Sequence, residues 1–363
     1  MPDGIAPLGV PAVGTASSAR PVPIRDGDVP DPTRSRSGTV AFPARPVPFQ
    51  DGEVAGARAG RGPFPQLPFQ PCQPCQECPV PALPPPALVR FLDPLRCPVC
   101  RSSPLRPDRG ALRCSAGHTF DIARHGYAGL LTGTRATSGD DAAMAQARDR
   151  FLNTGGYAPI RRAVAHLAAG ATADRGTVVD VGCGTGYYLA GALDALPGAR
   201  GLGLDTSAHA LRRAARAHDR AAAATWDVFR PFPLADAVAD VVLDVFAPRN
   251  PAEFHRVLRP GGRLVVVRPT ERHLAELRGR IPAMVAVDPA KERRLHRALD
   301  PFFEAVTTEE LAYPLVLAGS EALDLVGMTP SARHVRPVRM ADDGLLPGRV
   351  TVSVLATAYR PRS

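Results

Sequence analysis

Four residues stand at the spacing of a metal site. Cys97, Cys100, Cys114 and His118 make a C-x2-C-x13-C-x3-H pattern, two ligand pairs on two knuckles separated by the length of a hairpin. Thiolate sulfur and imidazole nitrogen suit zinc, which takes four such ligands in a tetrahedron. Four protein ligands leave no open position for water, so the site predicted is structural rather than catalytic. In a reducing compartment the spacing reads as metal rather than disulfide. Residues 101 to 113 carry turn formers and basic groups but little core, so the metal must supply much of the stability of this lobe. A second set, Cys72, Cys75 and Cys78, has no fourth ligand at a fitting distance and makes a poor zinc site.

A second stretch carries a different chemistry. Thr177 to Val181 is β-branched and apolar, and it breaks into a loop with glycines at 182, 184 and 186 before an alanine- and leucine-rich helix that starts near Tyr187. Such a loop lets backbone approach a ligand, and the helix N-terminus offers amides to a carboxylate or phosphate. The pattern is D-x-G-x-G-x-G from Asp180, not the G-x-G-x-x-G of dinucleotide sites. It resembles motif I of the Rossmann-like S-adenosylmethionine methyltransferases. On that resemblance Asp180, Gly182, Gly184 and Gly186 belong to the methionine end of the cofactor. Asp205, 19 residues after Gly186, would accept from the ribose hydroxyls, and Asp227 would meet the adenine amine.

The elements that must position these groups follow in order. Gly201 to Asp205 reads as the second strand, Thr225 as the end of the third, and Asp240 to Phe246 as a buried fourth. Arg256 to Val267 reads as a helix end, a turn and a fifth strand. Upstream, Gly139-Asp140-Asp141 is a capping signal for a helix ending near Asn153, and a further helix runs from Tyr157 to about His166. The fold class predicted is α/β: a Rossmann-like class I methyltransferase domain over 136–363, a small zinc ribbon over 91–135, and a disordered Pro/Gly/Arg-rich extension over 1–90. That extension repeats Ala19–Val29 as Ala44–Val54 and suggests an accessory tail or a start codon placed too far upstream.

Composition narrows the partners. The chain has 363 residues, 45% of them hydrophobic, a net charge of +9 and a pI near 9.6, a balance that favours polyanions such as nucleic acid. No run approaches the length of a membrane span and no signal peptide is legible, so the cytoplasm is the compartment expected.

Further residues carry a closer resemblance. The ribbon, Phe120-Asp121 to Gly126-Tyr127, Gln146-Ala147-Arg148, Gly156-Tyr157, the glycine motif, Phe246-Ala247-Pro248, Arg259-Pro260-Gly261-Gly262, Arg272-His273-Leu274 and Met328-Thr329-Pro330 occur in one order. Together they resemble the 23S ribosomal RNA guanine-N1 methyltransferases, which include macrolide-resistance enzymes, over roughly residues 95 to 358. The resemblance implies methyl transfer to N1 of a guanosine in a domain II hairpin, a possible role in macrolide resistance, and a homodimer around the RNA. It adds Tyr157, Thr185 and His273 as cofactor neighbours.

N1 of guanine must lose its proton as it attacks, so an acceptor helps. Asp244, at the end of the fourth strand, is the candidate. Phe246 and Pro248 are candidates to wall a pocket for a base swung out of its stack. Arg96, Arg101, Arg106, Arg109 and Arg113 on the ribbon are candidate phosphate contacts, and Trp226 is expected to pack under the cofactor. On this reading the lobes are separable: Cys114→Ser should lower metal content and RNA binding and spare cofactor binding. The rival readings are a small-molecule methyltransferase sharing the motifs around Gly184 and Gly261, and a binding module with a decayed methyltransferase fold.

Overall fold

The computed structural model describes residues 83–101, 104–133, 139–170, 175–281, 284, 290–334, 344 and 346–362. All lie in one compact unit, Pro74–Ser363. The repeat and the Cys72, Cys75 and Cys78 cluster fall outside the described residues.

The chain opens with helix α1 (Pro86–Arg90) and the ribbon strands β1 (Arg106–Asp108), β2 (Ala111–Arg113) and β3 (Thr119–Asp121). Then follow α2 (Ala142–Asn153), α3 (Ala158–Ala169), β4 (Thr177–Val181), α4 (Tyr187–Ala195), β5 (Arg200–Asp205), α5 (Ala208–Ala214) and β6 (Ala221–Thr225). The remainder is β7 (Ala239–Val245), α6 (Pro251–Val257), β8 (Leu258–Pro269), α7 (Ala275–Arg280), α8 (Ala290–Leu299), β9 (Phe303–Val316), α9 (Gly319–Gly327) and β10 (Arg349–Pro361).

The main sheet has seven strands in the order β6-β5-β4-β7-β8-β10-β9. The first five run parallel, and β10 pairs antiparallel with both β8 and β9. The β8 and β10 pairing and the long edge strand β9 are additions to the sequence reading. β4 is buried at all five positions, as a strand covered on both faces must be. Its neighbours β5 and β7 come from opposite directions of winding, so a crevice opens at its carboxyl end, beside the glycine loop.

The sheet buries two faces. On one, Val178, Leu243, Val265 and Val267 pack with Tyr157, Ile160, Leu189 and Leu325. On the other, Val179, Val181, Leu202, Leu204 and Val266 pack with Leu105, Leu112 and Phe120 of the ribbon and with Phe91 and Trp226. Val178 and Val179 go to opposite sides because side chains alternate along a strand. The ribbon therefore shares a core with the α/β domain. Backbone joins them too: Ala128 N donates to Ala223 O and Thr225 N donates to Ala128 O, both at 2.9 Å, adding a short parallel bridge to the β6 edge.

One expectation needs correction. Residues 83–90, expected as the end of the disordered extension over 1–90, are part of the folded unit. Leu88 and Phe91 are fully buried, Arg200 stacks over the Phe91 ring at 5.5 Å, and its guanidinium donates to Arg90 O at 2.6 Å. Apolar residues spaced three apart in a five-residue helix are too short a period to read against a proline-rich background. Among the described residues no helix is long and apolar enough to cross a membrane.

Candidate active site and metal centre

The ribbon hairpin turns at Arg109 and Gly110, both at positive φ (47° and 84°), the conformation of a two-residue type I′ turn. This brings the knuckles together. The ligand atoms of Cys97, Cys100, Cys114 and His118 all lie within 4.8 Å of one another. Cys100 Sγ is 3.7 Å from Cys114 Sγ, and His118 Nδ1 is 3.3 Å and 3.7 Å from the thiols of Cys114 and Cys97. Tetrahedral ligands at about 2.3 Å from zinc sit about 3.7 Å apart, so the donor set fits the ion in number, chemistry and spacing.

At the end of β4 the loop turns through three glycines at positive φ, Gly182 (71°), Gly184 (54°) and Gly186 (81°). A Cβ on Gly182 would come within 2.7 Å of the Ala247 side chain, so side chains are excluded where backbone must pass. Gly184 N donates to Asp205 Oδ2 at 2.9 Å and Ser207 N to Oδ1 at 2.8 Å. These amides fix the carboxylate at the end of β5, while burial pushes its pKa up against them. Beneath the loop Asp180 is buried, its Oδ2 without a hydrogen-bond partner among the described residues. Burial, with help from Asp205 and Asp244, raises Asp180 to about 8. A positive-φ glycine cradle with an orphaned carboxyl oxygen below it fits the methionine end of S-adenosylmethionine, whose positive charge would favour the ionised form of Asp180.

Three rings gather at the carboxyl end of β7. Phe246 is a non-glycine residue at φ 57°, is 37% exposed, and stacks on His273 at 5.9 Å and 26°. Backbone held in this region costs about 1–3 kcal/mol and persists where the surroundings impose it. Tyr157 lies 6.2 Å from Phe246 and meets Phe151 edge-on at 5.1 Å. Burial, with Arg278, lowers His273 to about 4, so its ring is neutral at pH 7. Ser353 N donates to Nδ1 at 3.2 Å, which leaves the proton on Nε2, 3.3 Å from Tyr157 Oη. Nε2 therefore donates to the phenol oxygen, and the Tyr157 hydroxyl hydrogen remains free to donate elsewhere.

The other expected residues are spread around this centre. Thr185 is buried in the loop. Asp227, two residues beyond β6, accepts from Phe229 N at 3.0 Å. Trp226 is buried in the core shared with the ribbon. Asp244 is fully buried, and its Oδ1 lies 3.3 Å from Arg249 Nε, so it faces a guanidinium. Of the ribbon arginines, Arg101 donates to Phe232 O at 3.1 Å and Arg113 pairs with Asp108 at 3.4 Å, whereas Arg106 and Arg109 are exposed on the hairpin.

One residue had no role in the sequence reading beyond its place in the resemblance. Arg148 on α2 reaches the glycine loop, where a Cβ on Gly184 would sit 3.3 Å from its Cδ. Asp140 holds it through two hydrogen bonds of 2.7 and 3.3 Å, and it donates to Met328 O at 2.7 Å. Burial works against its charge, but Asp140 holds its pKa above the ordinary value. No short spacing signals this role, because Arg148 is brought to Gly184 across 36 residues of chain by α2 packing.

The fold and the site define a class I S-adenosylmethionine-dependent methyltransferase with a structural zinc ribbon. Residues 95–135 match the family described as Zn_ribbon_RlmA (RlmA, N-terminal), and residues 178–262 match Methyltransf_25, a methyltransferase domain. The chain is 46% identical over 280 residues to the 23S rRNA (guanine(748)-N(1))-methyltransferase of Streptomyces fradiae, covering 76% of this chain and 98% of that one. It is 48% identical over 293 residues to a candidate 23S rRNA (guanine-N(1)-)-methyltransferase of Micromonospora griseorubida, covering 75% and 98%. A candidate enzyme of the same description, YxjB of Bacillus subtilis, is 38% identical over 194 residues, covering 50% and 67%. The chain belongs to the 23S rRNA guanine-N1 methyltransferase family.

Proposed function

We propose that this protein transfers the methyl group of S-adenosylmethionine to N1 of one guanosine in 23S ribosomal RNA, in a domain II hairpin. The observation that carries the reading is the pairing, in one folded unit, of a Cys3His ribbon with a positive-φ glycine loop, in a chain nearly half identical to such enzymes along almost their whole length.

The bound cofactor supplies an electrophilic methyl on a sulfonium sulfur. The chain's residues position the partners, which is most of the work in an in-line displacement. Gly182, Gly184 and Gly186 with Asp180 and Thr185 receive the methionine end. Asp205 accepts from the ribose and Asp227 from the adenine amine. Tyr157, aligned by neutral His273, directs its hydroxyl into the same space, and Phe246 with Pro248 walls the pocket of an extruded guanine. Asp244 takes the N1 proton only if Arg249 yields to the base; otherwise solvent takes it. The ribbon arginines grip the hairpin by its phosphates. Two chains frame the RNA, with sedimentation of the complex as the measurement.

N1 lies on the Watson–Crick edge, so methylation halts reverse transcriptase one nucleotide before the base. Primer extension on ribosomal RNA from cells with and without the gene is expected to give one gene-dependent stop. No stop, with no labelled methyl transferred to 23S RNA by pure protein, replaces this reading with a small-molecule substrate.

A further inference from the structure

A cavity of about 410 Å³ lies between α2, α3, α4 and α5 with the turn after α5, apart from the aromatic cluster of Tyr157, Phe246 and His273. Four arginines line it: Arg161, Arg212, Arg213 and Arg216. Thr185 is the residue it shares with the expected cofactor site.

The charges do not balance. Arg213 is matched by Asp149 at 3.0 Å and Arg161 by Asp194 at 2.8 Å. Arg212 and Arg216 are exposed and have no carboxylate partner among the described residues. A third exposed arginine arrives from the chain leaving the ribbon. Arg124 Nε lies 3.3 Å from His125 Nε2, and Arg216 Nη2 lies 3.0 Å from His125 Nδ1. Partial burial and then Arg124, Arg212 and Arg216 lower the pKa of His125, which keeps the ring neutral between two guanidiniums. Clustering like charges around a cavity destabilises the free protein and is offset when an anion neutralises them.

We infer that Arg212 and Arg216 at this cavity, with Arg124 beside them, form a phosphodiester-binding surface that holds the RNA backbone away from the methylated base. This rests on the RNA reading above. Guanidinium forks match phosphate oxygens in pairs, and a substrate gripped at one hairpin by the ribbon needs a second anchor to fix its orientation. The surface lies where both lobes contribute, α5 and the turn after it from one and the 124–125 segment from the other.

The test uses the full chain and a 23S RNA fragment containing domain II. Wild type, R212A/R216A and R212K/R216K are compared for RNA affinity across a salt series, for S-adenosylmethionine affinity by calorimetry and for zinc content. Each phosphate contact contributes about 0.7–0.9 to the slope of log affinity against log salt, so the alanine pair should flatten it by about 1.4–1.8 and weaken binding about 25- to 60-fold at 0.1 M salt. The lysine pair should keep the slope. Cofactor affinity and zinc content should stay at wild-type values. Unchanged RNA affinity and slope in the alanine pair, with wild type still methylating RNA, overturns this inference and leaves the function standing. Loss of cofactor affinity with RNA binding intact also overturns it and assigns the cavity to the cofactor. A wild type that binds no RNA removes the function and this surface together.

Discussion

The ribbon and the seven-stranded sheet reach order by opposite routes. The ribbon strands are three residues long and mostly exposed, with burial confined to Ala111, Leu112 and Phe120. The central strand β4 is buried at every position. The sheet is held by apolar area shared among strands and helices, while the ribbon has too little of it and depends on four ligands around one ion. Yet the few apolar side chains of the ribbon do not form a core of their own. Leu105, Leu112 and Phe120 lie against Val181, Leu204 and Trp226. The metal thus holds a lid on one face of the sheet, and the two routes to stability are coupled.

Removing the zinc tests that coupling most severely. Chelation, or Cys114→Ser, should lower Tm by on the order of 10 °C, because the ribbon cannot keep its fold and the sheet face beneath it meets water. It should also weaken S-adenosylmethionine, since Trp226 N donates to Asp205 O and the β6 edge is bonded to residue 128. Here the structure departs from the separable lobes that the sequence suggested. Calorimetry of the variant with cofactor decides the point: full affinity would mean that the shared core transmits nothing. Elemental analysis of the pure protein should find one zinc per chain.

Phe91→Ala probes the same face without touching the metal. A fully buried phenylalanine replaced by alanine costs about 3–5 kcal/mol, read as a lower midpoint in urea, with zinc content kept. An unchanged midpoint would separate α1 and its following turn from the folded unit.

Asp205→Ala acts on the sheet alone. Loss of hydrogen bonds to a charged group should weaken the cofactor by about 1.5–3 kcal/mol while the fold survives. Unaltered affinity would move the ribose site elsewhere.

A pH dependence isolates the buried acid beneath the glycine loop. Asp180 is raised to about 8 in the folded chain from an ordinary value of 3.8, so the folded state holds a proton that the unfolded state has lost. Stability from this group is full below pH 3.8 and falls as pH rises toward 8. Asp180→Asn cannot lose that proton, so its Tm relative to wild type should climb between pH 4 and pH 8. A constant difference across that range would mean that Asp180 is ionised in the fold.

The parts of the fold legible in the sequence are those with local signals. The Asp141 cap is one: its side chain accepts from Met144 N at 2.9 Å and starts α2 where the Gly-Asp-Asp signal predicts. The bounds of β4, β5 and β7 follow from runs of β-branched and apolar residues ending at Asp or Val. Helix α3 runs to Ala169 rather than about His166, because alanines extend a helix without an apolar stripe to mark them. β10 carries such a run at Val350 to Leu355, but nothing local marks its antiparallel partners, and β9 has no such run. β9 alternates partly buried and exposed positions over Glu309–Val316, and its pairing partner is found only by bringing Arg349–Pro361 back alongside it.

By itself the sequence determined the metal ligands, the glycine loop, the acid at the end of β5 and the positions of the parallel strands along the chain, because each depends on residue type at short spacing. Tertiary structure alone decided the company those residues keep. It set Arg148 beside Gly184, aligned His273 through Ser353 N so that its proton faces Tyr157, stacked Phe246 at positive φ on His273, and made one core of ribbon and sheet. These depend on contacts between residues tens to more than a hundred positions apart, and such contacts exist only once the chain has closed those loops and buried the surfaces between them.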